Sequence, residues 1–279
     1  MKWNLKSGEI YETNNFGPIE ILQEAITISF DNKKPTDKYY LIRFINTGYT
    51  KFASASAIMN GSVKDNIVPF IANIGYIGSD IKISSNPIIF MFYKVWNDMI
   101  NRCYNKLDRD YPLYGGLGIT VEKRWFNFSN FLIDIRHLPN YIKKIKYPNI
   151  YQFDKDYLQF HIPKSQRIYS RLTCMWLSKY DNITIMNREY TNSTGYYGVY
   201  YKDHSYNVKI NNITYGRFNS PDIAAAFYNI IYLKYFRHPE FSDICIINEV
   251  PKFSPQEISQ HCVNKQRWFI NSSNDIEII

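Results

Sequence analysis

Between Ser193 and Phe236 the apolar positions first alternate and then switch to helical spacing. Tyr196–Tyr201, Ser205–Asn211 and Thr214–Phe218 are short aromatic-rich segments divided by turn residues, which predicts a three-stranded meander. Ser220-Pro221-Asp222 then reads as a helix start: a serine N-cap, a proline in the first turn and an acidic side chain at the positive end of the dipole. Ala224, Ala225, Tyr228 and Tyr232 follow at helical intervals, and the small alanines let a helix lie close to a sheet. Upstream, Gly8–Tyr11, Ile19–Leu22 and Tyr39–Phe44 are β-rich runs punctuated by Asn14–Pro18 and Asn46-Thr47-Gly48, the pattern of a small barrel or curled sheet. Past the join Gly75–Ser79, the residues Phe92, Trp96, Met99, Ile100 and Cys103 form the apolar stripe of a helix.

Tyr114-Gly115-Gly116-Leu117-Gly118 is a glycine turn into a strand. It lacks the Lys-Ser/Thr of a phosphate loop. Asn127 is placed to cap a short helix running through Phe131 and Ile135, and Ser254-Pro255-Gln256-Glu257 is a capping-box signature for a last helix. The polar tail from Asn271 is expected to fray. The reading is therefore an α+β, multidomain chain. Residues 1–75 form a small all-β unit, 76–190 a central module, 191–245 a three-stranded sheet packed on one helix, and 246–279 a helix and tail.

Composition narrows the partners. The 279 residues carry a net charge of +8, which favours a polyanion, and the 25 tyrosines and 18 phenylalanines add surfaces that stack on bases. No apolar run reaches membrane-spanning length and the N-terminus has no apolar signal region, so an intracellular location without membrane contact is expected, in the host cytoplasm if the source is a phage. Cys103, Cys174, Cys245 and Cys262 are scattered with no C-x-x-C pair, so they are expected as buried apolar residues in a reducing compartment. No heptad seam speaks to oligomeric state.

Two stretches resemble known families. Gly198-Val199-Tyr200-Tyr201, Tyr206-Asn207-Val208-Lys209-Ile210, Tyr215-Gly216-Arg217-Phe218 and Ala224-Ala225-Ala226-Phe227-Tyr228-Asn229 together resemble the ethylene-response-factor type of DNA-binding domain. The resemblance implies a sheet entering the major groove of double-stranded DNA, with Tyr201, Lys202, Lys209 and Arg217 as its contacts. Arg43, Lys51 and Lys64 of the N-terminal unit are further candidates for phosphate contact, equally readable as a solvated surface.

The central stretch Trp96-x-x-Met99-x-x-Arg102-Cys103-Tyr104, Tyr114-Gly115-Gly116-x-Gly118, Trp125-x-x-Phe128, Phe153-Asp154-Lys155-Asp156 and Tyr169-Ser170-x-x-x-Cys174-x-Trp176 is similar to phage His-Asn-His homing endonucleases. That similarity implies a ββα-metal module in which one Mg²⁺ or Mn²⁺ offsets charge on the phosphodiester while a base of near-neutral pKa supplies hydroxide. Mapped residue by residue, Asp154 and Asn182 are the metal ligands and Lys155 stands at the general-base position. A lysine is protonated near neutral pH, so it is a poor base. His161, on the same expected hairpin, is a displaced alternative. Asp154 and Asp156, two apart, share a face if the strand is regular, and Asp156 reads equally as a turn cap. The expected function is duplex DNA binding, with metal-dependent nicking or cleavage; the alternatives are an inactive DNA-binding regulator and a structural phage or viral protein.

Overall fold

The computed structural model describes residues 4–26, 38–159, 161–182, 193–244, 247–265 and 267–279. Helices and several small sheets are mixed along the chain, which separates into two compact units: residues 1–137 with 162–173, and 138–161 with 174–279. The chain passes from the first unit to the second, back, and out again.

The first unit opens with a four-stranded antiparallel sheet in sequence order: β1 (Ile10–Thr13), β2 (Gly17–Ile26), β3 (Tyr39–Phe44) and β4 (Thr50–Ser54). Alternation along β3 drives Tyr40, Ile42 and Phe44 inward, against Ile19, Ile21 and Ile58, the last on the short helix α1 (Ala55–Met59). The helix α2 (Pro87–Tyr104) starts at Asn86, whose side chain accepts from two backbone N–H groups, with Pro87 in the first turn. Its buried residues are the five read from the sequence stripe. Trp96 donates its indole N–H to the Trp125 carbonyl, which ties α2 to the segment after β5 (Thr120–Val121). Asn127 caps α3 (Phe128–Asp134) as its sequence indicates. β5 pairs in parallel with Ile168–Tyr169.

The second unit begins with α4 (Tyr141–Lys146) and β6 (Tyr151–Asp154). After β7 (Ile168–Tyr169, the partner of β5) the chain returns as β8 (Met175–Ser178), antiparallel to β6, and residues 179–182 are helical. Phe153 lies opposite Trp176 with their rings 4.9 Å apart. Then come β9 (Val199–Lys202), β10 (Ser205–Ile210) and β11 (Ile213–Phe218), joined by two-residue turns whose residues, Asp203-His204 and Asn211-Asn212, all have positive φ. This is the turn geometry that suits the right-handed twist of a hairpin.

Helix α5 (Pro221–Ile231) crosses one face of the meander, capped by Ser220 as the sequence indicates. The sheet departs from the expected three strands. After α6 (Pro255–Gln260), whose capping box forms, β12 (Cys262–Lys265) pairs with β11 and makes a fourth. The tail expected to fray instead pairs: β13 (Trp268–Ile270) with β14 (Ile276–Ile278). Trp268 and Ile276 enter the same apolar cluster as Val199, Val208, Phe218 and Phe227, and that burial holds the tail in place. Of the cysteines, Cys103 and Cys174 are buried and Cys262 half-buried, with no disulfide among the described residues; Cys245 lies outside them. Among the described residues no helix is long and apolar enough to cross a membrane.

Candidate functional site

Strand register assigns each side chain of the C-terminal sheet to a face. Val199 pairs with Val208 and both are in the core beneath α5, so Tyr201 and Tyr206, two pairs along and of the same parity, also point to the helix side. Their rings stand 5.1 Å apart and line an open pocket of about 450 Å³ with Tyr196, Pro221 and Asp222 at the start of α5. The opposite face carries Tyr200, Lys202, Asn207 and Arg217, with Asn264 of β12 directly across from Arg217.

Lys209 belongs to this second face too, since its ammonium lies over the Tyr200 ring at 5.6 Å. Lys202, Lys209 and Arg217 thus share one face. Tyr201 does not: Tyr200 stands on that face instead. Asn207 is buried and donates to the carbonyls of Lys202 and Ser205, which rigidifies the tip of the first hairpin. No strand of this sheet contains an acidic residue. Arg217 makes no ion pair among the described residues, and its Nε is buried without a hydrogen-bond partner. A cation held so keeps its attraction for an external anion.

The N-terminal candidates are differently placed. Arg43 is opposite Glu20 on the neighbouring strand and bonds its carboxylate at 2.5 Å, and Lys51 pairs with Asp80. Both charges are already met by carboxylates. Lys64 is exposed.

At the end of β6 the expected strand face breaks down. The strand stops at Asp154, whose carboxylate accepts from the backbone N–H of Asp156 (3.0 Å) and of Tyr157 (2.8 Å), so it caps a turn. Asp156 therefore leaves the strand and binds the Lys155 ammonium at 2.6 Å; the two carboxylates do not share a strand face. Burial pushes the Asp154 carboxyl up to about 6, with the two N–H groups and Lys155 partly offsetting it. Lys155 is itself buried and committed to its carboxylate.

His161 is exposed and lies on the long connection between β6 and β8 rather than on a tight hairpin. Asn182 ends the described helical turn, donating to the Gln152 side chain at 2.8 Å, and residues 183–192 lie outside the described residues. Among the described residues no three His, Cys, Asp or Glu side chains gather as a metal-binding group. A hard divalent cation takes six or more oxygen ligands, commonly with waters. One turn-capping carboxylate and one amide bonded to Gln152 do not fit that demand as they stand.

The comparisons with known proteins are silent: no family model, no curated protein and no solved structure matches the chain.

Proposed function

We propose that the protein binds double-stranded DNA through the helix-free face of its C-terminal sheet. The observation that carries this reading is that Lys202, Lys209 and Arg217 lie on one face, with Tyr200 and without a carboxylate on any of its strands. A β-ribbon fits a major groove, and Arg217 beside the exposed Asn264 combines phosphate attraction with a group able to read base edges. The net charge of +8 acts in the same direction at long range. Arg43 and Lys51, neutralised by their partners, are not part of the interface.

Gel retardation of a mixed-sequence duplex across a salt series tests the proposal. Affinity should fall steeply with salt, and Lys209→Ala should weaken binding on every sequence while lowering the slope of log affinity against log salt by about one. The same change at Arg43 should leave the slope alone. If retardation is absent at low salt, or indifferent to salt, the reading is wrong. Adding Mg²⁺ or Mn²⁺ with supercoiled plasmid separates binding from hydrolysis: intact plasmid with retardation identifies a binder, and nicking lost in Asp154→Asn identifies an endonuclease.

A further inference from the structure

The glycine turn of the first unit has a structural purpose that the sheet face does not use. A Cβ on Gly115 would stand 2.0 Å from the Cys103 carbonyl oxygen, so only glycine lets the turn close on the end of α2. Gly118, at φ +97°, would place a Cβ 2.8 Å from the Ser165 carbonyl oxygen, which brings the 162–173 segment equally close. The Tyr104 hydroxyl adds a lock, accepting from the Val121 N–H at 2.9 Å.

These approaches set two tyrosine rings against one guanidinium. The Arg102 Cζ is 4.6 Å from the ring centroid of Tyr114 and 4.9 Å from that of Tyr169, itself buried. Stacking occupies the faces of a guanidinium, whereas its five N–H groups point outward in the plane. Those donors find nothing within the described residues: the Nε is buried with no hydrogen-bond partner, and no ion pair joins Arg102 to a carboxylate, Asp98 one turn back included. A purely structural arginine whose Nε is shut off from solvent would gain by bonding a carbonyl or a carboxylate there. This one is held rigid with its hydrogen-bonding edge unspent, the state expected of a donor set whose acceptor arrives from outside.

We propose that Arg102, stacked against Tyr114 and Tyr169, binds a phosphate oxyanion. Planar N–H pairs match two phosphate oxygens, and the positive chain draws such anions. The phosphate belongs either to a DNA backbone or to a small free phosphate. The site uses none of the residues of the C-terminal sheet.

Full-length protein labelled with ¹⁵N-arginine gives the direct test. The Arg102 Nε–Hε resonance, assigned by its loss in Arg102→Lys, is followed during titration with inorganic phosphate and, separately, with chloride at matched ionic strength. The expected result is a saturable shift with phosphate and none with chloride, weakened about tenfold in Tyr114→Leu, where one ring face is removed. A short duplex is the second arm. If it also shifts Arg102, the ligand is a backbone phosphodiester; if inorganic phosphate alone does, the ligand is a small phosphate. A shift that does not saturate, or that chloride reproduces, overturns the proposal. The wild-type resonance decides the matter even if Tyr114→Leu fails to fold. The Lys209→Ala/Arg217→Ala protein separates the two proposals. Its Arg102 should answer phosphate whatever becomes of duplex retardation, and a silent Arg102 leaves retardation by the sheet unaffected.

Discussion

Asp154 shows how burial and hydrogen bonding compete over a single carboxyl. Its sequence context, Phe153-Asp154-Lys155-Asp156, reads as a strand, and the alternation expected from a strand fails because the side chain caps its own turn through Asp156 and Tyr157. Sequence alone identifies the residue but not this local competition. Burial has a measurable consequence. With the folded carboxyl pushed up to about 6 and the unfolded one near ~4, the folded chain keeps a proton that the unfolded chain loses between those values. The unfolded state then binds fewer protons, so stability falls as pH rises through that window, by about 2–3 kcal/mol. Asp154→Asn retains a carbonyl oxygen for both N–H groups and has no charge to bury. It should raise stability at pH 7.5 by about 2 kcal/mol and flatten the profile between pH 4 and 6. Urea melts at pH 4.5 and pH 7.5 check this; parallel profiles for the two proteins would dismiss the buried charge as the cause.

Elements with strong local signals were readable in advance, and those created by long-range pairing were not. The stripe of α2, the cap of α3 by Asn127, the start of α5 at Ser220 and the capping box at Ser254 all form as their residues indicate. β12 was missed for a physical reason: Cys262-Val263-Asn264-Lys265 sits at a sheet edge with no residue fully buried, so it has no inward-outward alternation to read. The face of Tyr201 was not legible for another. In the run Tyr200-Tyr201 the two residues are chemically equal, and a slip of one position exchanges the faces. Only pairing with β10 decides between them. Where the local signal is strong its energy is testable. The Ser220 hydroxyl accepts from the Ile223 N–H, so Ser220→Ala should cost about 1 kcal/mol in denaturant melts without altering the far-ultraviolet spectrum. Gly198→Ala should cost more. Its φ is +66° and the added Cβ would stand 2.2 Å from the Tyr228 ring, so an undiminished melting temperature would contradict the packing of α5 on the sheet.

For the whole chain the question is which stretch of sequence folds as a piece. The two units interleave, because 162–173 returns to the first after 138–161 has entered the second. A cut between residues 137 and 138 therefore leaves each product missing or carrying part of the other. The C-terminal sheet offers a cleaner boundary: every buried member of its apolar cluster lies between Val199 and Ile276, and the flanking Tyr196 and Ile278 extend it only slightly. A fragment of residues 193–245, nearly the whole of the 191–245 module read from sequence, loses Ile258, Trp268 and Ile276 from that cluster. Removing a large buried apolar side chain costs about 2–5 kcal/mol, and whole-domain stability is only about 5–15 kcal/mol. Three such losses exceed what a unit this small can spare. Residues 193–279 should accordingly melt cooperatively and retard duplex DNA at low salt, whereas residues 193–245 should show no cooperative transition and no salt-sensitive retardation. Thermal melts of the two fragments, run beside the full chain, decide the point. A stable 193–245 fragment would mean that β12 to β14 are an accessory to the fold, and retardation by 193–279 at least matching that of the full chain would place the DNA contacts on this sheet.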